Sequence, residues 1–207
     1  MGKSPIYLLI MGLLFGGLYL FKVYERNFKP VGLREDIKKP DIYLDNSKLY
    51  IKEHSYERSM SQLRMAIEAL QEIEVELDEK DRKLIDDSID ELQIVLLELQ
   101  NFQINEDDID HAFSRALNAL TIAELRLTET LIAEHHTTDA KVALKYGMYH
   151  IKNAIRFTNG HKQQYEAHIY DEIDSLLESE SSSDKELINR LEFMIAELDS
   201  LVYDKVQ

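Results

Sequence analysis

The amino-acid sequence predicts an all-α protein in which one N-terminal transmembrane helix is followed by about six amphipathic helices. Two observations carry this prediction: an uninterrupted apolar run near the amino terminus, and apolar residues at spacings of four and three through the rest of the chain. The three prolines lie within the first forty residues, so no proline interrupts a later helix. Short loops between the helices favour antiparallel hairpins, packed as a bundle or as a short α-solenoid.

The apolar run lies between Lys3 and Lys22 and contains eighteen uncharged residues. At a rise of about 1.5 Å per residue it would span about 27 Å, which is enough for the core of a bilayer. No small-x-small pattern typical of signal-peptide cleavage follows the run, so residues 1–24 are predicted to be an uncleaved transmembrane anchor. The residues that we assign to the anchor are Ile6, Leu9, Gly12, Gly16 and Leu20.

Gly12 and Gly16 form a G-x-x-x-G pair within the predicted anchor. Such a pair lets two membrane helices approach closely, but single glycines are also tolerated in any membrane helix. The second interpretation is the one we favour.

The segment after the anchor, residues 25–55, holds two prolines and one glycine and shows no sustained helical period. It is predicted to be a basic juxtamembrane linker, in which residues 42–51 dock on the body as an extended strap. The basic residues nearest the anchor suit anionic lipid headgroups. They are Lys22, Arg26 and Lys29.

The basic residues also bear on which side of the membrane the body lies. They follow the anchor, whereas only Lys3 and the amino terminus precede it, so the positive-inside rule favours a cytoplasmic body. A short Lys-bearing amino terminus before an apolar run is also typical of a signal-anchor that exports the rest of the chain. A periplasmic or other extracytoplasmic location is therefore the alternative.

Charge is unevenly distributed along the chain. Residues 1–39 carry seven Lys and Arg against three Asp and Glu, whereas residues 40–207 carry seventeen against thirty-six. An acidic body repels nucleic-acid phosphates, so DNA or RNA binding is not expected. The absence of cysteine excludes disulfides, thiolate metal sites, a cysteine nucleophile and a lipoprotein anchor.

Residues 56–207 are predicted to form the acidic helical domain. Capping residues and a Ser-rich loop at residues 178–183 separate its six helices. The predicted boundaries are N-caps at Asp78 and Asn105, a left-handed C-cap at Gly160, and a capping box at Ser183 and Glu186.

Histidine is the residue type through which this chain could bind a metal ion or haem. One candidate is His111, which follows Asp108 at i+3. A second is the cluster of His135, His136 and Asp139 at a predicted turn, and a third is His150 on the fourth helix. Neither Glu-x-x-His nor His-Glu-x-x-His occurs. We therefore favour surface or turn histidines without a metal, and no cofactor is predicted.

The fourth predicted helix has two further features. His150 lies on a seam of small residues that lets another helix come close, where it is either a haem ligand, a pH-sensitive group or, as we favour, a histidine satisfied by a hydrogen bond. A basic stripe on the same helix either binds an acidic partner or a phosphate-bearing ligand, or pairs with acidic helices nearby. The stripe consists of Lys141, Lys145, Lys152 and Arg156.

The function hypotheses come from an anchor, a linker and a body that is rich in helix surface. No Gly-rich phosphate loop, nucleophile elbow or kinase motif is present, and no catalytic residue is predicted. The leading hypothesis is a membrane-tethered helical interaction or scaffold module without catalytic activity, whose partners are the membrane and a second protein or another copy of the chain. The alternative is a His-dependent metal- or haem-binding helical bundle anchored to the membrane.

Overall fold

A computed structural model describes residues 33–179 and 183–203 of the chain. Within those ranges the protein is all-α, with seven α-helices, two short 3-10 turns and no strand, and the helices pack as a bundle. The 3-10 turns are Glu35–Lys38 and Ile155–Phe157. The helices are α1 Lys39–Lys52, α2 Tyr56–Glu74, α3 Glu79–Gln100, α4 Glu106–Ala133, α5 Thr137–Ala154, α6 Gly160–Glu178 and α7 Asp184–Tyr203.

Helix α4 is the centre of the bundle. It packs against α3, α5 and α7, and it also contacts α1. Residues 116–125 are buried without interruption, so this part of α4 is covered on every side rather than on one amphipathic face. The closest packing is between α4 and α5, where Gly147 of α5 lies over Thr121 and Glu124 of α4.

Helix α1 corrects the prediction for residues 42–51, which form a helix and not an extended strap. Its buried positions include a series that continues from the preceding turn at spacings of four and three: Ile37, Asp41, Leu44, Lys48 and Ile51. Two residues of this series are polar, and this hid the helical period. Pro40 lies in the first turn of the helix, where proline is favoured because it has no N–H to lose. The described part of the predicted linker is therefore packed on the bundle.

Most of the predicted helix boundaries are confirmed by side-chain caps. Asp78 accepts from the backbone N–H of Asp81 at 2.9 Å, and Asn105 accepts from that of Asp107 at 3.1 Å. Ser183 accepts from the backbone N–H of Glu186 at 3.3 Å, which is one half of the predicted capping box.

The boundary near Gly160 differs from the prediction. Gly160 has the predicted positive φ of 59°, but it is the first residue of α6 and not the C-cap of α5. Helix α5 ends at Ala154 and continues as a 3-10 turn to Phe157. The buried ring of Phe157 packs edge-on against Phe113 of α4, which explains why the chain tightens here instead of running on to the glycine.

Three helices end in the same type of turn. The residue after the C-cap has a positive φ in each case, and none of the three is glycine: they are His54, Phe102 and His135. Each turn has the two backbone hydrogen bonds of a Schellman motif. The turns after α1 and α4 also share the sequence pattern Ile-x-Glu-His, at residues 51–54 and 132–135, and join the two most extensively packed helix pairs.

The predicted anchor, residues 1–24, and the first part of the predicted linker lie outside the described residues. Among the helices of residues 33–179 and 183–203, none is both long enough and apolar enough to cross a bilayer.

Candidate functional site

A buried polar cluster joins α1 to α5. His150 is fully buried, and its Nδ1 atom lies 2.7 Å from Oδ2 of Asp41, while Nδ2 of Asn153 donates to Oδ1 of Asp41 at 2.9 Å. His150 Nε2 is buried and has no hydrogen-bond partner among the described residues. The structure thus places His150 in the interior, bound to a carboxylate of the segment that was predicted to be a linker.

Tyr149 lies beside this cluster, with its ring edge-on to that of His150. Partial burial, and then the negative charge of Asp41, raise the pKa of the Tyr149 hydroxyl above its usual value. The hydroxyl is therefore neutral across the physiological range and can donate a hydrogen bond.

A second buried cluster holds Glu166 of α6. Asn118 of α4 donates to Oε1 at 2.8 Å, and the hydroxyl of Thr158 donates to Oε2. Burial raises the pKa of Glu166, and these two hydrogen bonds act in the opposite direction. Both hydrogen-bond donors are neutral, and the positive charge of Lys162 also lowers the pKa of this carboxyl group.

A third buried acid, Glu124, lies on α4. Burial, followed by the charge of Asp81, raises its pKa well above the ordinary value of 4.5, and its Oε2 atom has no hydrogen-bond partner in the described part of the chain. The residue borders a cavity of about 160 Å³. Asp81 and Arg126, which also border it, form an ion pair. The cavity wall within the described residues includes no histidine, serine or lysine that Glu124 could activate.

The other predicted histidines are dispersed. His111 of α4 is half-buried. Burial, and then the positive charges of Lys162 and Arg115, lower its pKa.

His135 and His136 are exposed at the turn before α5. His135 lies 3.6 Å from Asp184, and His136 lies 3.7 Å from Glu134. Asp139 is exposed on the first turn of α5. In the residues that the structure describes, no group of three or more His, Cys, Asp or Glu side chains is placed to hold a metal ion.

The predicted basic stripe divides among three surroundings. Lys141 is exposed and borders a separate cavity lined also by residues of α4, α6 and α7. Arg156 pairs with Asp45 of α1, as the interpretation of pairing with acidic helices expects. Lys145 and Lys152 are exposed and border a groove of about 380 Å³. The other residues of this groove, which we call the Lys–Tyr groove, are Glu35, Lys38, Val142, Tyr146, Met148, Tyr149 and Tyr170.

Lys38 borders the Lys–Tyr groove and contacts two of its tyrosines. Its Nζ atom lies 4.9 Å from the ring centroid of Tyr146 and 5.4 Å from that of Tyr149, within the range of cation–π contacts. Glu35 pairs with the same Nζ atom at 3.5 Å. The groove therefore has three lysines and one carboxylate on its wall, a net positive surface on a strongly acidic body.

Large apolar side chains remain exposed on the second half of α3 and just after it. Ile94 and Leu97 are each 56% exposed and lie one turn apart on the helix surface, and Phe102 is 76% exposed in the following turn. The ring of Phe102 packs edge-on against Tyr56 at the start of α2. We call Ile94, Leu97 and Phe102 the α3 apolar row.

Several of these residues were missed by sequence reasoning. Asp41 lies in the predicted linker, and the abundance of acids in the chain favours solvated helix faces for Glu124 and Glu166. The only signal for Glu124 is its place inside an otherwise apolar and small-residue stretch of α4. Nothing in the local sequence connects Lys38 or Tyr170 with the basic stripe.

Comparisons with known protein families, with curated proteins and with solved structures found no significant match to this chain. Its function is therefore inferred from its own residues.

Proposed function

We propose that this protein is a membrane-tethered helical module that binds a partner protein or a second copy of itself, and that its helical body faces the cytoplasm. The observation that carries the proposal is the α3 apolar row, in which three large side chains are more than half exposed. Isolated exposed apolar residues are common on proteins, but large ones grouped at the end of a helix and in the turn after it are typical of an interaction surface.

The interior supports a binding role over a catalytic one. His150 and Glu166, the groups that would serve as a general base or acid, are fully buried and already bound to Asp41 and to Asn118 and Thr158. Their contacts join helices that are distant in sequence, so they stabilise the bundle. We therefore assign the binding role to the exposed surface.

The tether is tested by alkaline carbonate extraction of membranes that carry the full chain. We expect the native chain to stay in the membrane pellet. A variant with Leu9→Arg and Leu13→Arg should be extracted, because each central arginine costs about 2.5–3.5 kcal/mol of insertion free energy. Extraction of the native chain would contradict the tether.

The interaction surface is tested with a photocrosslinking amino acid placed at Leu97 of the full chain in native membranes. We expect a discrete crosslinked species, either with one partner protein or with a second copy. The matched control places the same amino acid at Lys83, an exposed position near the other end of α3. A discrete product that is abolished by Phe102→Ser and absent from the control supports the proposal, and equal products at both positions contradict it.

A further inference from the structure

We propose that the Lys–Tyr groove binds the phosphate-bearing headgroup of an anionic phospholipid in the membrane to which the chain is tethered. This inference rests on the proposed membrane tether. The Lys–Tyr groove would be a second contact with the membrane, separate from the anchor. The inference is carried by the composition of the groove, by its position in the bundle and by the charge of the rest of the body.

The composition suits an anion with an organic part. Lys145 and Lys152 lie seven residues apart on α5, which places them about 10 Å apart along one side of the helix. Lys38 comes from the turn before α1, so cationic groups from two separate elements border one opening. Each ammonium group offers three donors to phosphate oxygens.

The tyrosines give the groove a surface for the rest of the headgroup. Tyr146, Tyr149 and Tyr170 border it together with the lysines, and amphipathic rings of this kind are favoured at the membrane interface. The volume of about 380 Å³ falls within the range of about 300–1,000 Å³ typical of small-ligand sites.

The position of the groove points to the bilayer as the source of the ligand. Lys38 lies only five residues after Leu33, where the described chain begins, and eight residues separate Leu33 from the end of the predicted anchor at Tyr24. Even fully extended, such a segment spans about 30 Å. The tether therefore keeps Leu33 within about 30 Å of the end of the anchor, and Lys38 of the groove follows five residues later.

The charge of the body explains why a local site is needed. Residues 40–207 carry seventeen basic against thirty-six acidic side chains, so most of the surface is repelled by an anionic leaflet. A groove bordered by three lysines and one carboxylate is attracted to the same leaflet. Headgroup binding would then orient the bundle with this groove toward the bilayer and leave the α3 apolar row for a protein partner.

The experiment titrates the full chain, in a non-ionic detergent at fixed ionic strength, with three probes at equal concentrations. The probes are dihexanoyl phosphatidic acid, dihexanoyl phosphatidylcholine and inorganic phosphate. Thermal unfolding is followed by helical circular dichroism, because a ligand that binds only the native state raises the melting temperature. We expect a saturable rise with phosphatidic acid and a much smaller rise with the other two.

The variant Lys145→Gln, Lys152→Gln removes two charges from the groove, and both side chains are exposed, so the fold should be kept. We expect its half-saturation concentration for phosphatidic acid to increase at least about tenfold, the size of one lost charge-assisted hydrogen bond. Lys80→Gln, Lys83→Gln removes two exposed charges from α3 and should leave the titration unchanged.

Two results would overturn the inference. If inorganic phosphate gives the same rise as phosphatidic acid, the ligand is a soluble phosphate and not a lipid. If the groove variant titrates like the native chain, or if no probe raises the melting temperature of the native chain, the groove is not the site. Failure of the tether is seen separately, in the carbonate extraction, because the titration in detergent does not depend on membrane insertion.

Discussion

The Nδ1 atom of His150 lies 2.7 Å from Oδ2 of Asp41, and this contact joins the fifth helix of the bundle to the first. Asn153, one turn after His150, donates to the other oxygen of the same carboxylate. One buried side chain of α1 therefore holds two side chains of α5. Because α1 is continuous with the part of the chain that leads to the predicted anchor, Asp41 also links that end of the chain to the bundle.

Asp41→Ala should strongly destabilise the bundle. The substitution leaves His150 and Asn153 buried without their acceptor, and each buried polar group left without a partner costs about 1–3 kcal/mol. The measurement is urea unfolding of the full chain in mild detergent, followed by helical circular dichroism. Asp45→Ala is the matched control: it removes the more exposed ion pair with Arg156 one turn later and should cost less than about 1 kcal/mol. Equal losses would show that Asp41 is not the link.

Glu124→Gln should stabilise the protein at neutral and alkaline pH. Burial raises the pKa of Glu124 above 4.5, so the native state binds its proton more tightly than the unfolded state does. The stabilising contribution is then fully present below about pH 4.5 and is lost as the pH rises through the higher pKa of the folded state. Glutamine keeps the shape of the protonated acid and does not titrate. We expect its melting temperature at about pH 8 to be several degrees above that of the native chain.

The difference in melting temperature between Glu124→Gln and the native chain should shrink as the pH is lowered toward the ordinary glutamate pKa of 4.5. Glu68→Gln, which replaces an exposed glutamate of α2, is the control and should show no such trend. A Glu124→Gln protein that is less stable than the native chain at alkaline pH would mean that the ionised carboxylate has a partner that stabilises it.

Gly147→Ala should be tolerated, and larger residues at this position should not. A Cβ atom on Gly147 would lie 3.4 Å from Cβ of Glu124 and 3.8 Å from the carbonyl oxygen of Thr121, which is ordinary contact for one methyl group. Alanine gains about 0.8–1.0 kcal/mol of helix propensity over glycine, so a small net stabilisation is expected. Gly147→Leu would force α4 and α5 apart and should cost about 1–3 kcal/mol. Chemical denaturation of both variants checks this, and destabilisation by alanine would contradict it.

The six helices from Tyr56 onward were predictable from sequence because apolar residues recur along their core faces, even where a buried polar residue such as Glu124 or Glu166 interrupts them. Helix α1 was not. Asp41 and Lys48 occupy two of its buried positions, and each is stabilised by residues far away in the chain: His150 and Asn153 for Asp41, and Glu106 and Asp110 for Lys48. Hydrophobic periodicity cannot show a buried polar residue whose partner lies on another helix. The same limit applies to the Lys–Tyr groove, since its lysines come from two separate elements.

His135→Gly should stabilise the turn between α4 and α5. His135 has a φ of 61°, a left-handed conformation that costs a residue with a Cβ atom about 1–2 kcal/mol and costs glycine little. Its exposed contact with Asp184 contributes little in return. We expect a gain of up to about 1 kcal/mol in the free energy of unfolding, measured by chemical denaturation, because glycine also adds entropy to the unfolded chain. A loss of stability would indicate that the imidazole makes a contact that outweighs the backbone strain.

The proposed cytoplasmic location can be tested because the native chain has no cysteine. Gln71→Cys places one thiol at an exposed position of α2, and Ser88→Cys places one at a fully buried position of α3. With a membrane-impermeant maleimide, we expect Gln71→Cys to be labelled only after lysis. We expect Ser88→Cys to be labelled only after denaturation, and this control shows that the maleimide reaches only thiols exposed in the folded protein. The positive-inside rule is the physical basis, since basic residues follow the predicted anchor. Labelling of Gln71→Cys in intact cells would place the body outside the membrane, and the anionic lipid of the Lys–Tyr groove would then have to come from the opposite leaflet.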